Sequence, residues 1–144
     1  MARDTTDQTS IQSIDDLVAY LKGGEKPNEA FRIGTEHEKF CFYLDDLSPV
    51  PYAGERGIEQ ILKGLKALSD WEPIVDGGHL IGLFNDAEGG AISLEPGGQF
   101  ELSGAPLKTI HETCRESNLH LAQVRAIAKD LGVGFLGLGS SPPW

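Results

Sequence analysis

Positive charge is scarce in this 144-residue chain: 12 lysines and arginines face 22 aspartates and glutamates, a formal net charge of −10. Nucleic acid is excluded as a partner, because phosphate backbones are held by basic patches. The same charge repels an anionic substrate unless metal ions or basic side chains intervene. Cysteine is scarce too. Cys41 and Cys114 are too few for a disulfide framework, so reduced thiols and a cytoplasmic location are expected. No apolar run approaches the roughly 20 residues of a membrane span, and no membrane partner is expected. The opening MARDTTDQTS lacks the apolar segment of a signal peptide. There is no internal repeat and no low-complexity tract. A Walker-type phosphate loop is missing as well, since Gly97-Gly98 is not followed by Lys-Ser or Lys-Thr.

What is present reads as one α+β domain with a mainly antiparallel sheet and packed helices. Residues 1–10 are expected to be disordered. Ile11, Ile14, Leu17, Val18 and Leu21 recur at helical spacing, and Gly23-Gly24 supplies a stop. Phe31 to Leu44 reads as a long strand, and Asp45 to Gly54 as a loop. Ile58, Ile61, Leu62, Leu65 and Leu68 mark a short helix. Trp71–Val75 and His79–Phe84 read as a hairpin around Asp76-Gly77-Gly78. Leu107 to Leu131 is the longest helical pattern, with a capping box in Thr109 and Glu112 and a stop at Gly132. Its apolar stripe is read as Ile110, Cys114, Leu121, Val124, Ile127 and Leu131. That places Cys114 in the core and His111 and His120 on the solvated side. Val133 to Leu138 is a last short strand.

The most informative stretch is Ile92 to Pro106, ISLEPGGQFELSGAP. Apolar and polar residues alternate on both sides of a Pro-Gly-Gly break, the pattern of a half-buried strand with a bulge or kink. If the register survives the break, Ser93, Glu95, Gln99, Glu101 and Ser103 share one face. A second strand repeats the arrangement: Glu36 and Glu38 are separated by one residue, which on a strand puts both carboxylates on one face about 7 Å apart. His37, Lys39 and Cys41 then lie on the opposite face, with Cys41 packed beneath the sheet. Paired carboxylates repel when ionised, and a divalent cation with hard oxygen ligands removes that cost. A solvated strand face is the bland alternative for either strand alone. Zinc fits worse, since His37 and Cys41 lack a third and fourth ligand at suitable spacing.

The blocks GTEHEKF (Gly34–Phe40) and LEPGGQFELSGAP (Leu94–Pro106) together resemble the plant and proteobacterial class of glutamate–cysteine ligase. Cys41 departs from the glycine often found there in relatives. The resemblance implies a glutamine-synthetase-like fold. It also implies ligation of the γ-carboxylate of glutamate to the amine of cysteine through γ-glutamyl phosphate, with ATP and Mg²⁺, the first step of glutathione synthesis. By the same resemblance Glu36, Glu38, Glu95 and Glu101 are Mg²⁺ ligands, and Gln99 contacts glutamate or a ligand water.

Family enzymes are much longer chains, so this one reads as an N-terminal portion. It is expected to be inactive by itself and to self-associate through unpaired strands. Arg32, Arg56, Arg115 and Arg125 are dispersed along the sequence. A related carboxylate–amine ligase with another amine substrate, or a non-catalytic metal-binding fragment, are the alternatives.

Overall fold

Period-two alternation in the sequence becomes six strands of one sheet. The computed structural model describes residues 8–142. The expected disorder of residues 1–10, as far as it concerns 1–7, and the closing Pro143-Trp144 therefore lie outside the described residues. The chain divides into two units, Met1–Phe31 and Arg32–Trp144. In the first, helix α1 (Ile14–Gly23) starts at a capping box in which Ser13 and Asp16 satisfy each other's backbone N–H groups. None of its residues is buried. A single 3-10 turn follows at Asn28–Ala30.

The second unit contains β1 (Glu36–Tyr43), α2 (Ile58–Leu68), β2 (Glu72–Asp76), β3 (His79–Phe84), β4 (Ala91–Glu95), β5 (Gln99–Ser103), α3 (Ile110–Leu131) and β6 (Val133–Leu136). The spatial order is β2-β3-β4-β5-β1-β6, and all five pairings are antiparallel. The α+β class with a mainly antiparallel sheet is thus as expected. Both α2 and α3 cover the same sheet face. Ile58, Ile61, Leu62 and Leu65 of α2 and Val124 and Ala128 of α3 meet Cys41, Leu83, Ile92, Phe100 and Leu102 in one buried cluster. Each such side chain contributes about 1.5–3 kcal/mol by leaving water. The helices approach closely at Gly64, where a Cβ would come within 2.8 Å of Ile127.

Helix α3 is held at both ends. Thr109 and Glu112 form the expected capping box, and Gly132 ends the helix in the left-handed region at φ 64°. Arg56 donates to the carbonyls of Leu131 (2.7 Å) and Gly132 (3.2 Å), pairs with Asp45 and lies 4.4 Å from the Tyr43 ring centre. A cation at a helix C-terminus also complements the helix dipole.

Several expectations need correction. The strand expected from Phe31 begins only at Glu36, because Ile33 makes an isolated bridge to Leu107 instead of joining the ladder. That bridge also keeps Leu107 out of α3. The last strand ends at Leu136, short of Leu138. The Pro96-Gly97-Gly98 break is a hairpin turn, not a kink within one strand. Glu95 pairs with Gln99 across it, and Gly97 and Gly98 take φ 83° and 77°, open to glycine at little cost. In α3, Thr113, His120, Val124 and Ala128 are buried, while Ile110 and Cys114 are exposed. The inward stripe is thus rotated from the expected one, bringing His120 into the core and Cys114 out to solvent.

Candidate functional site

The register builds the site. Glu38 of β1 stands opposite Glu101 of β5, and Glu101 stands opposite Ser93 of β4. One row away, Glu36 opposes Ser103, which opposes Ala91. On the other side, Glu95 opposes Gln99. Opposed residues of neighbouring strands share a face, with Cβ atoms about 4.5–5.5 Å apart. Glu36, Glu38, Glu95, Gln99 and Glu101 therefore all lie on the face turned away from α2 and α3. The hairpin preserves the parity that the sequence required, because two residues paired across a turn point the same way. Glu36 and Glu95 are on one face, as the parity argument demands.

Like charges directly opposite each other destabilise a sheet. Here two neutral donors offset the repulsion. The Ser93 hydroxyl donates to Glu101 Oε2 at 2.6 Å, and the Gln99 amide donates to Glu38 Oε2 at 2.6 Å. Glu101 is 5% exposed and Ser93 4%, so the centre of the row is withdrawn from water, while Glu36 remains exposed. A hydrogen bond to a buried carboxylate is worth more than one between neutral groups. Among the described residues, no group of three His, Cys, Asp or Glu side chains lies close enough to hold a metal ion. In this conformation Glu38 and Glu101 are engaged with Gln99 and Ser93.

Sequence reasoning placed Lys39 on the face opposite the glutamates but missed its depth. The side chain is 2% exposed, and its Nζ donates to the His37 carbonyl at 2.5 Å. Burial pushes the ammonium down to about 8, against the attraction of Cys41 and Glu101. A cation thus lies behind the acidic row. Burial pushes the neighbouring Cys41 thiol up to about 12, partly countered by Lys39, which makes it a packing group instead of a nucleophile. His120, expected in solvent, is 3% exposed and stacks on Phe100 with ring centres 6.4 Å apart. His37 meets it edge-on at 6.5 Å. Burial, then Lys39 and His37, push its imidazole down to about 3. The available signal was its spacing of four from Val124, a core position.

Helices behind and carboxylates in front define an α+β sheet protein that presents an acidic face. A family profile described as Glutamate-cysteine ligase family 2 (GCS2) matches residues 32–144, and the chain belongs to that family. "Glutamate--cysteine ligase A, chloroplastic" of Oryza sativa subsp. japonica is 55% identical over 130 residues, covering 90% of this chain and 25% of the relative. The chloroplastic glutamate--cysteine ligases of Nicotiana tabacum and Arabidopsis thaliana are 52% and 50% identical, each over 90% of this chain and 24% of the relative. The chain spans about a quarter of the length of the curated relatives it matches. These names overturn the cytoplasmic location expected from the thiols. Two unbridged cysteines argue only against an oxidising compartment and do not distinguish one reducing compartment from another.

Proposed function

We propose that the chain supplies the acidic face of a ligase joining the γ-carboxylate of glutamate to the amine of cysteine through γ-glutamyl phosphate, at the expense of ATP. The observation that carries this reading is the alignment of Glu36, Glu38, Glu95 and Glu101 with Gln99 on one face of three adjacent strands. Family membership supports it, and on this reading the sheet is part of a glutamine-synthetase-like fold. The plastid named for the relatives replaces the cytoplasm as its setting.

The donor set suits Mg²⁺, which takes hard carboxylate oxygens and keeps positions for phosphate oxygens. Glu36, Glu38, Glu95 and Glu101 would hold the metal. When bound, Mg²⁺ supplies the charge neutralisation that phosphoryl transfer requires. The chain's own groups do the rest. Ser93 and Gln99 fix the Glu101 and Glu38 carboxylates until the metal competes for them. Gln99, half-buried at the start of β5, is placed to turn its amide toward a glutamate carboxylate or a ligand water. Lys39 sets a positive charge behind the row.

The test is titration of the chain with Mn²⁺ as a paramagnetic substitute for Mg²⁺. Amide broadening is expected to centre on Glu38, Glu95 and Glu101. Glu38→Gln is expected to weaken binding at least tenfold with the circular dichroism unchanged. In a family-length protein carrying this segment, the same change is expected to lower phosphate release from ATP with glutamate and cysteine. Wild-type metal affinity and turnover in Glu38→Gln would remove the metal role.

A further inference from the structure

On the helix side of the sheet, beside β1, β6 and α3, lies a cavity of about 350 Å³. His37, Lys39, Arg125 and Lys129 line it, and no aspartate or glutamate does. In a chain of net charge −10 this is a sharp segregation of sign. It also gathers basic groups that look dispersed in the sequence. Arg125 and Lys129 are four residues apart on α3, so one helix face presents both to the cavity. Lys39 enters from β1.

The carboxylate that attracts Lys39, Glu101, lies on the other face of the sheet. Among the described residues none of Lys39, Arg125 and Lys129 is ion-paired. An ammonium has three protons to donate, and among the described residues Lys39 hydrogen-bonds only to the His37 carbonyl. Burying an ammonium without an ion-pair partner is costly, and neighbouring cations add repulsion. Leu121, Val124, Val133 and Phe135 supply apolar walls, which strengthen any electrostatic interaction inside. An anion between the lysine and the helix pair relieves all of these costs at once.

We propose that this cavity is an oxyanion site, taking a phosphate or carboxylate group between Lys39 and the Arg125–Lys129 pair. It is separate from the acidic face, since the sheet lies between them, and it does not depend on the ligase reading. The guanidinium of Arg125 offers a two-pronged contact to either group, and Lys129 and Lys39 act as point charges. The volume lies in the range of small-ligand sites, large enough for an oxyanion carrying a small organic body.

The test uses the chain free of divalent metal, at constant ionic strength held with chloride. It is titrated with inorganic phosphate and, separately, with glutamate, by calorimetry and amide chemical shifts. Saturable shifts are expected at Gly134, Gly137 and Arg125. Arg125→Gln combined with Lys129→Gln changes two exposed positions, so the fold is retained, and is expected to weaken binding at least tenfold. Glu38→Gln is expected to bind as wild type does. Saturation by phosphate alone identifies a phosphate site, saturation by glutamate alone a carboxylate site, and saturation by both a general oxyanion site. No saturation with either, shifts centred on the acidic face, or wild-type affinity in the double variant would overturn the proposal.

Discussion

At the scale of single residues, His120 shows how burial outweighs a side chain's ordinary preference. It is held neutral, with its pKa pushed down to about 3 by burial and by the nearby Lys39 and His37. Its Nε2 is buried without a hydrogen-bond partner, so protonation in place is unfavourable. In the unfolded chain the same imidazole takes a proton near its usual value of about 6.5. Stability is therefore complete above that value and falls as the pH drops from about 6.5 toward 3, by at most about 1.4 kcal/mol per pH unit for one proton. His37, also lowered by burial and by Lys39, acts in the same direction. Asp45 and Glu112, held below the usual carboxylate range by hydrogen bonds from Arg56 and Thr109, add their losses at lower pH. Urea unfolding is expected to give a lower midpoint at pH 5 than at pH 7, with a smaller difference in His120→Gln. An undiminished difference in that variant would assign the effect elsewhere.

At the scale of elements, the β4–β5 hairpin carries the register on which the acidic row depends. Gly98 sits at φ 77°, and a Cβ there would come within 3.2 Å of Ile58 Cδ1. Gly98→Ala is expected to cost about 1–2 kcal/mol from the left-handed conformation alone, measured as a drop in unfolding free energy. An unchanged value would mean that the turn can relax to another type. The face of each glutamate is legible in the sequence because parity is local: Glu36 and Glu38 differ by two, whatever surrounds them. The turn is not legible in the same way, since Pro-Gly-Gly suits a bulge as well as a hairpin. The pairing of β4 with β5 across the turn, Glu95 opposite Gln99, distinguishes them. The phase of α3 is harder still. Ile110, Cys114 and Leu119 compete with Thr113 and His120 for the inward position, and the sheet decides through Phe100 and His37.

At the scale of the whole second unit, the two outer strands differ. β2 carries Glu72, Pro73 and Asp76, and both charge and proline discourage pairing at an edge. β6 is Val-Gly-Phe-Leu, without charge or proline, and pairs among the described residues only with β1. Self-association is therefore expected to run through β6. Sedimentation should show concentration-dependent oligomers that Leu136→Lys dissolves. A wild-type monomer at high concentration would count against an adhesive edge.

The strand order has a consequence in time. Of the six strands described, β1 comes first in the chain, yet its ladder partners are β5 and β6, the fifth and sixth. Glu38 and Gln99, joined in the fold, are 61 residues apart in the chain. At about 5–20 residues per second of synthesis, roughly 3–12 s pass between the emergence of one and the other. During that interval Phe40, Cys41 and Phe42 leave the ribosome without a sheet to join, while the β2–β3 hairpin can already close. The acidic row is thus completed only once β5 has been made, and of the six strands β1 waits longest for a partner.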